Sequence, residues 1–210
     1  MPLFVYPTIP HVRKHGPSGY TDYKSYKPWL RDEFQFECVY CLTRERMCPN
    51  GADSFAVEHL KPKSNLGHAS LRTEYTNLVY ACSTCNSWKG TEDQTPDPCE
   101  LCFGNLIEIQ EDGFAKGKDN SGVGEDLISL ALLNRPKLVQ YRRDVLRYQR
   151  ACAKIPDCET CNFLKKLSAF PDDLPDLTSQ SRRPPSNAKK EGIIDSYHAR
   201  RERSSLPETY

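Results

Sequence analysis

"ACSTCNSWKG", residues 81–90, sets Cys82 and Cys85 two residues apart, with Asn86 directly after the second cysteine and Lys89 and Gly90 closing the run. Thiolates at this spacing suit tetrahedral zinc, because the turn between them brings both sulfurs to one metal. A knuckle serving only as a staple has no need of an amide fixed against its last cysteine. The run reads as a helix start that Gly90 ends.

A second pair, Cys38 and Cys41, stands upstream in "ECVYC", residues 37–41. Between the two pairs, "FAVEHL" (residues 55–60) alternates as a strand does, and "NLVYAC" (residues 77–82) is a short apolar run. The order is knuckle, strand, long loop, knuckle, helix. One zinc on Cys38, Cys41, Cys82 and Cys85 closes the loop at its base and holds Glu58 and His59 near Asn86. That set suits phosphodiester hydrolysis. A neutral imidazole, His59, takes a proton from water as general base. The Glu58 carboxylate and the Asn86 amide oxygen are hard ligands for Mg²⁺ or a similar ion, which stabilises charge on the phosphate and the departing oxygen. Asn77 is expected to tie down the loop and so orient His59. Lys61, Lys63 and Lys89 either contact backbone phosphates or are simply solvated. His68, in "NLGHAS", reads as a surface residue.

The set "CVYC … VEHLKPKS … NLVYACSTCNSWKG" resembles the zinc-containing HNH endonucleases, the ββα-metal or His-Me finger nucleases. By position, His59 matches the first His of that motif, Asn77 its Asn, and Asn86 its last His, giving an HNN variant. The resemblance implies that Glu58 and Asn86 bind the catalytic Mg²⁺ or Mn²⁺. Many relatives carry Asp where this chain has Glu58. The resemblance covers roughly residues 36–90. Such nucleases serve as homing enzymes, junction resolvases, restriction-like enzymes and effectors of bacterial phage defence, and the additional C-terminal half is closer to stand-alone prokaryotic HNH proteins. Two other readings stay open: a subunit active only with an ATPase or sensor partner, and a non-cleaving zinc module that binds nucleic acid.

Ten cysteines occur in the 210 residues, eight of them in four Cys-x-x-Cys pairs. Cys99/Cys102 and Cys158/Cys161 form a possible second zinc set, while Cys48 and Cys152 are left over. Adjacent pairs of this kind favour metal over disulfides, so a reducing cytoplasm is expected. With 27% charged residues and a proline-broken start, neither a signal peptide nor a membrane span is expected. Net charge is only +1, but it is unevenly spread. Residues 1–90 carry +3, residues 91–135 carry −7, residues 136–170 carry +5 and the rest are neutral. A polyanion, most simply DNA, can therefore bind locally.

The expected fold is α+β: a zinc-clamped ββα-metal core with a mainly helical accessory unit and a disordered C-terminal tail. Residues 1–30 read as an irregular arm whose Tyr20, Tyr23 and Tyr26, interleaved with Lys24 and Lys27, either stack on bases or pack on the core. Residues 31–96 hold the nuclease core. Residues 97–170 form an accessory unit with a hairpin turning at Asp112-Gly113, a helix in "GEDLISLALL", and a second helix from about Pro136 to Ala153. In that helix Leu138, Tyr141, Val145, Tyr148 and Cys152 make a buried stripe beside a basic one of Arg143, Arg147, Arg150 and Lys154. Residues 171–210, rich in Pro, Ser and charge, are expected to be mostly disordered.

Overall fold

A computed structural model describes residues 3–118, 120–155, 159–183 and 185–210. Strand β1 (Phe55–His59) pairs antiparallel with β2 (Leu78–Cys82), and His59 stands opposite Leu78, Glu58 opposite Val79 and Phe55 opposite Cys82. Helix α1 (Lys27–Glu33) precedes the strands, and α2 (Ser83–Lys89) follows β2 without a break. Cys82 sits at the N-cap of α2 with its sulfur accepting the Cys85 amide. Gly90, at φ +60°, ends α2, a backbone region that a residue with a Cβ rarely adopts. β1 and α2 fall where the sequence expects a strand and a helix, and the short apolar run at residues 77–82 supplies β2. All five residues of β2 are buried, and α1 packs against the sheet.

The accessory segment contains α3 (Phe103–Leu106), the hairpin β3 (Ile107–Ile109) with β4 (Ala115–Gly117), α4 (Val123–Leu130), α5 (Pro136–Lys154) and α6 (Glu159–Leu167). The hairpin turns at Gly113 (φ +88°), where a Cβ would stand 2.3 Å from the Val139 carbonyl oxygen, so the backbone of α5 is approached as only glycine permits. On α5, Leu138 and Val145 are buried and Tyr141 and Cys152 partly so, but Tyr148 is exposed. Two members of the basic stripe are tied to the hairpin: Arg143 donates to the Asp112 carbonyl and Arg150 pairs with Glu111. Arg142 is wholly buried, donating to the Leu133 and Cys41 carbonyls, and so links the accessory segment to the first knuckle.

Buried apolar residues from Leu3 to Leu177 form one continuous cluster. The N-terminal segment is thus part of the core, with Leu3, Phe4, Tyr6 and Tyr26 all buried.

The disordered tail is a correction. Within the described residues, the chain beyond Pro171 forms α7 (Leu177–Gln180), α8 (Lys190–Ile194) and α9 (Tyr197–Glu202) and packs back on α1. Phe36, Phe170, Leu174 and Tyr197 make a small second core with Tyr210 against it. Its apolar residues have no helical or strand period, because each docks singly. Polar ties fix the rest: Asp32 accepts the Tyr197 amide at 2.8 Å, and Arg31 bridges Glu45 and Asp173. No helix among the described residues is long and apolar enough to cross a membrane.

Candidate active site and zinc knuckle

Cys38, Cys41, Cys82 and Cys85 are all buried, and their sulfurs lie within 4.8 Å of one another. The tight turn after Cys38 returns the Leu42 amide to the Cys38 carbonyl, with Leu42 at φ +58°. Cys41 and Cys82 sulfurs are 3.7 Å apart, close to the ~3.8 Å edge of a tetrahedron with ~2.3 Å Zn–S bonds. The sulfurs crowd one another electrostatically. Burial pushes the Cys38 thiol well above its ordinary value, while hydrogen bonding with Cys38 and its neighbours pulls Cys41 well below. A divalent cation relieves that conflict, so the four residues fit zinc. Arg135, between α4 and α5, places both terminal nitrogens 3.7 Å from the Cys85 sulfur and offsets thiolate charge there.

The second proposed zinc set is not assembled among the described residues. Among the described residues only the first four cysteines gather as a metal-holding group, so Cys99, Cys102 and Cys161 do not. Cys161 is instead joined to Cys152 in a disulfide linking α6 to α5, Cα atoms 5.4 Å apart. Cys99 accepts a hydrogen bond from Arg13. Cys158 lies outside the described residues. Spacing alone pairs cysteines along the chain, whereas the fold of α5 against α6 decides which sulfurs meet.

Above the knuckle, a cleft of about 400 Å³ is lined by Glu58, His59, Lys63, Asn86, Gly90 and, from upstream, Tyr23. His59, 5% exposed, donates from Nε2 to the Arg72 carbonyl at 3.0 Å, since that oxygen only accepts. The lone pair of the neutral ring therefore resides on Nδ1. Burial lowers the His59 pKa below its ordinary value, which keeps the ring neutral. Asn77 fixes the carbonyl indirectly. Its side chain accepts the Lys61 amide at 2.8 Å and donates to the Lys61 and Leu71 carbonyls at 3.1 Å, so residues 61 to 72 are pinned beside His59.

Glu58 is 5% exposed, and burial raises its carboxyl pKa against the pull of Lys89. Lys89 is itself buried: its Nζ lies 2.8 Å from Glu58 Oε1 and donates to the His59 carbonyl at 2.9 Å and that of Glu92 at 3.3 Å. Lys89 is therefore neither a phosphate contact nor a solvated side chain, because it is turned inward to Glu58 and the His59 carbonyl. Lys61 extends to the Asp93 carbonyl. Lys63 remains exposed at the cleft, its Nζ 2.6 Å from the Tyr23 phenol oxygen. His68 is half-buried, beside Asp93. Asn86 is half-buried, and together with Glu58 it brings hard oxygens to one cleft. That donor chemistry fits Mg²⁺ or Mn²⁺.

Most of the cleft's lining, the histidine and the knuckle fall in one segment, and residues 38–92 match the family model described as HNH endonuclease. The segment is an HNH domain. No curated protein and no solved structure matches the chain. HNH domains are nucleases that act on nucleic acid. Sequence reasoning did not place Tyr23, Lys24 and Lys27 beside the HNH domain's cleft. Their interleaved spacing was the only signal, and it does not say which surface the N-terminal segment covers.

Proposed function

We propose that the protein is a metal-dependent endonuclease that hydrolyses phosphodiester bonds in DNA. The observation that carries this reading is His59: its Nε2–H is committed to the Arg72 carbonyl, leaving Nδ1 as proton acceptor in a cleft shared with Glu58 and Asn86. Water is deprotonated by Nδ1, the ring orientation being held by the loop that Asn77 pins. Glu58 and Asn86 would hold Mg²⁺ or Mn²⁺, which when bound supplies electrostatic stabilisation of the phosphate and the departing oxygen. Lys89 opposes the effect of burial on the Glu58 carboxyl. Lys63, exposed at the cleft, meets backbone phosphate. Cys38, Cys41, Cys82 and Cys85 would hold a structural Zn²⁺. The resemblance to stand-alone prokaryotic HNH proteins favours phage defence or restriction as the setting.

The test is incubation of the purified full chain with plasmid DNA, single-stranded DNA and RNA in Mg²⁺ or Mn²⁺, beside His59→Ala. Metal-dependent cutting of DNA by the wild type, reduced by about 10²–10⁴-fold in His59→Ala at unchanged zinc content, is expected. Equal cutting by both would overturn the assignment of the base.

A further inference from the structure

The HNH match begins at residue 38, yet one wall of the cleft comes from upstream of it. The chain enters a 3₁₀ turn at Tyr23–Tyr26, capped by Asp22 accepting the Lys24 amide, and runs directly into α1. Tyr26 is buried in the core, edge-on to Tyr20 and tilted on Tyr75, which anchors the turn to the core. The turn contacts β1, the strand that carries Glu58 and His59.

That anchoring aims Tyr23 at the site. Its ring meets the His59 imidazole edge-on, with centroids 4.7 Å apart and planes at 68°. Its phenol oxygen meets Lys63 Nζ at 2.6 Å. The imidazole is thus held twice: the Arg72 carbonyl fixes one ring nitrogen, and the Tyr23 ring limits rotation of the ring about its bond to the chain. Lys63 is exposed on the loop after β1, and its Nζ also stands over the Tyr23 ring, 4.4 Å from the centroid, so phenol oxygen and ring face together give the ammonium a fixed point beside the base.

We propose that Tyr23 is a positioning residue of the active site, which orients His59 through its ring and seats Lys63 through its hydroxyl as the ammonium that receives a substrate phosphate. The proposal rests on the nuclease reading above. The ring alone orients His59, while the hydroxyl adds the hydrogen bond to a lysine that the ring face also attracts. The ring governs the angle at which Nδ1 addresses water, and misplacing a reacting group by about 1 Å costs about 10²-fold in rate. The hydroxyl governs where a cation stands before chemistry begins, so its loss weakens substrate binding. Aromatic pairing and ammonium–phenol contact are each modest in energy, and the ring is half-buried against the core rather than enclosed in it, so the fold is expected to survive their removal.

The experiment measures kcat and KM on a cleavable DNA for wild type, Tyr23→Phe, Tyr23→Ala, Tyr23→Leu and Lys63→Ala, with zinc content and circular dichroism recorded for each. Tyr23→Ala is expected to lose about 10–100-fold in kcat. Tyr23→Phe is expected to restore kcat but to share with Lys63→Ala a raised KM. Should Tyr23→Ala lose zinc or fold, Tyr23→Leu, which fills the same wall without an aromatic edge, is read in its place and is expected to show the same kcat loss. Unchanged kcat in a folded Tyr23→Ala or Tyr23→Leu overturns the positioning role. Unchanged KM in Tyr23→Phe overturns the seating of Lys63 through the hydroxyl. A wild type that cuts no nucleic acid fells the nuclease reading itself, and this proposal with it, whereas an active wild type beside equally active variants fells the proposal alone.

Discussion

Lys89 and Glu58 form an ion pair inside the protein, Nζ to Oε1 2.8 Å, with both residues about 5% exposed or less. The pair clamps the last turn of α2 to the end of β1, since the same ammonium also donates to the His59 carbonyl. Removing one partner of a buried pair strands the other charge and costs about 3–5 kcal/mol. Lys89→Met is therefore expected to lower unfolding free energy by about that amount. Adding Glu58→Leu to it should recover most of the loss. Denaturant midpoints of the wild type, the single variants and the double variant check the coupling.

The same pairing shapes the metal response. Glu58 brings charge to a divalent ion and Asn86 only a dipole, so Glu58→Ala should weaken metal dependence more than Asn86→Ala. Asn86→Asp should be tolerated better than Asn86→Ala, because it keeps a hard oxygen in place. Cleavage rate against Mg²⁺ or Mn²⁺ concentration is the measurement. Excess metal should partly rescue these variants and leave His59→Ala inactive, its defect being proton transfer. An unchanged metal dependence in Asn86→Ala would reduce Asn86 to a helix residue.

Zinc content should separate the two cysteine sets. Cys85→Ser is expected to lose the knuckle zinc and to unfold the HNH core, because structural zinc supplies folding free energy outright. Cys99→Ser and Cys102→Ser should leave metal content as in wild type. Elemental analysis of the purified variants decides it, and a lost equivalent of zinc in Cys102→Ser would reinstate the second site.

Glu33 gives a pH signature at the other end of α1. Burial works to raise its carboxyl, but bonds from His11 and from the Lys14 amide outweigh this and hold it below its ordinary 4.5. The stabilisation is present above that ordinary value and is lost as pH falls through the lower folded one. Glu33 also accepts the His15 amide and the Tyr75 hydroxyl, so its protonation loosens the N-terminal segment from α1. Stability measured from pH 6 to pH 2 should fall more steeply in wild type than in Glu33→Gln. The difference between the two curves isolates this carboxylate from Glu58, whose raised value acts in the opposite sense. Parallel curves would remove Glu33 as the source.

The sequence by itself determined the local chemistry. Cys82, Cys85 and Asn86 are spaced by one turn, and a turn or helix N-terminus imposes their proximity whatever surrounds it. Glu58 and His59 are neighbours on a strand that alternation marks, Asp112-Gly113 writes its hairpin, and α5 is announced by its apolar period. Tertiary structure alone decided the long-range pairings. Lys89, on α2, turned inward to the buried Glu58 carboxylate of β1, at a separation that no local pattern encodes. Cys161 met Cys152 because α6 folds back on α5. The tail beyond Pro171 became ordered because Phe170, Leu174 and Tyr197 found Phe36, although their own spacing carries no period. Tyr23 reached His59 because the burial of Tyr26 fixed the turn that carries it. Local rules report what a residue and its near neighbours prefer, while burial and charge pairing between distant segments follow from which surfaces the whole chain brings together.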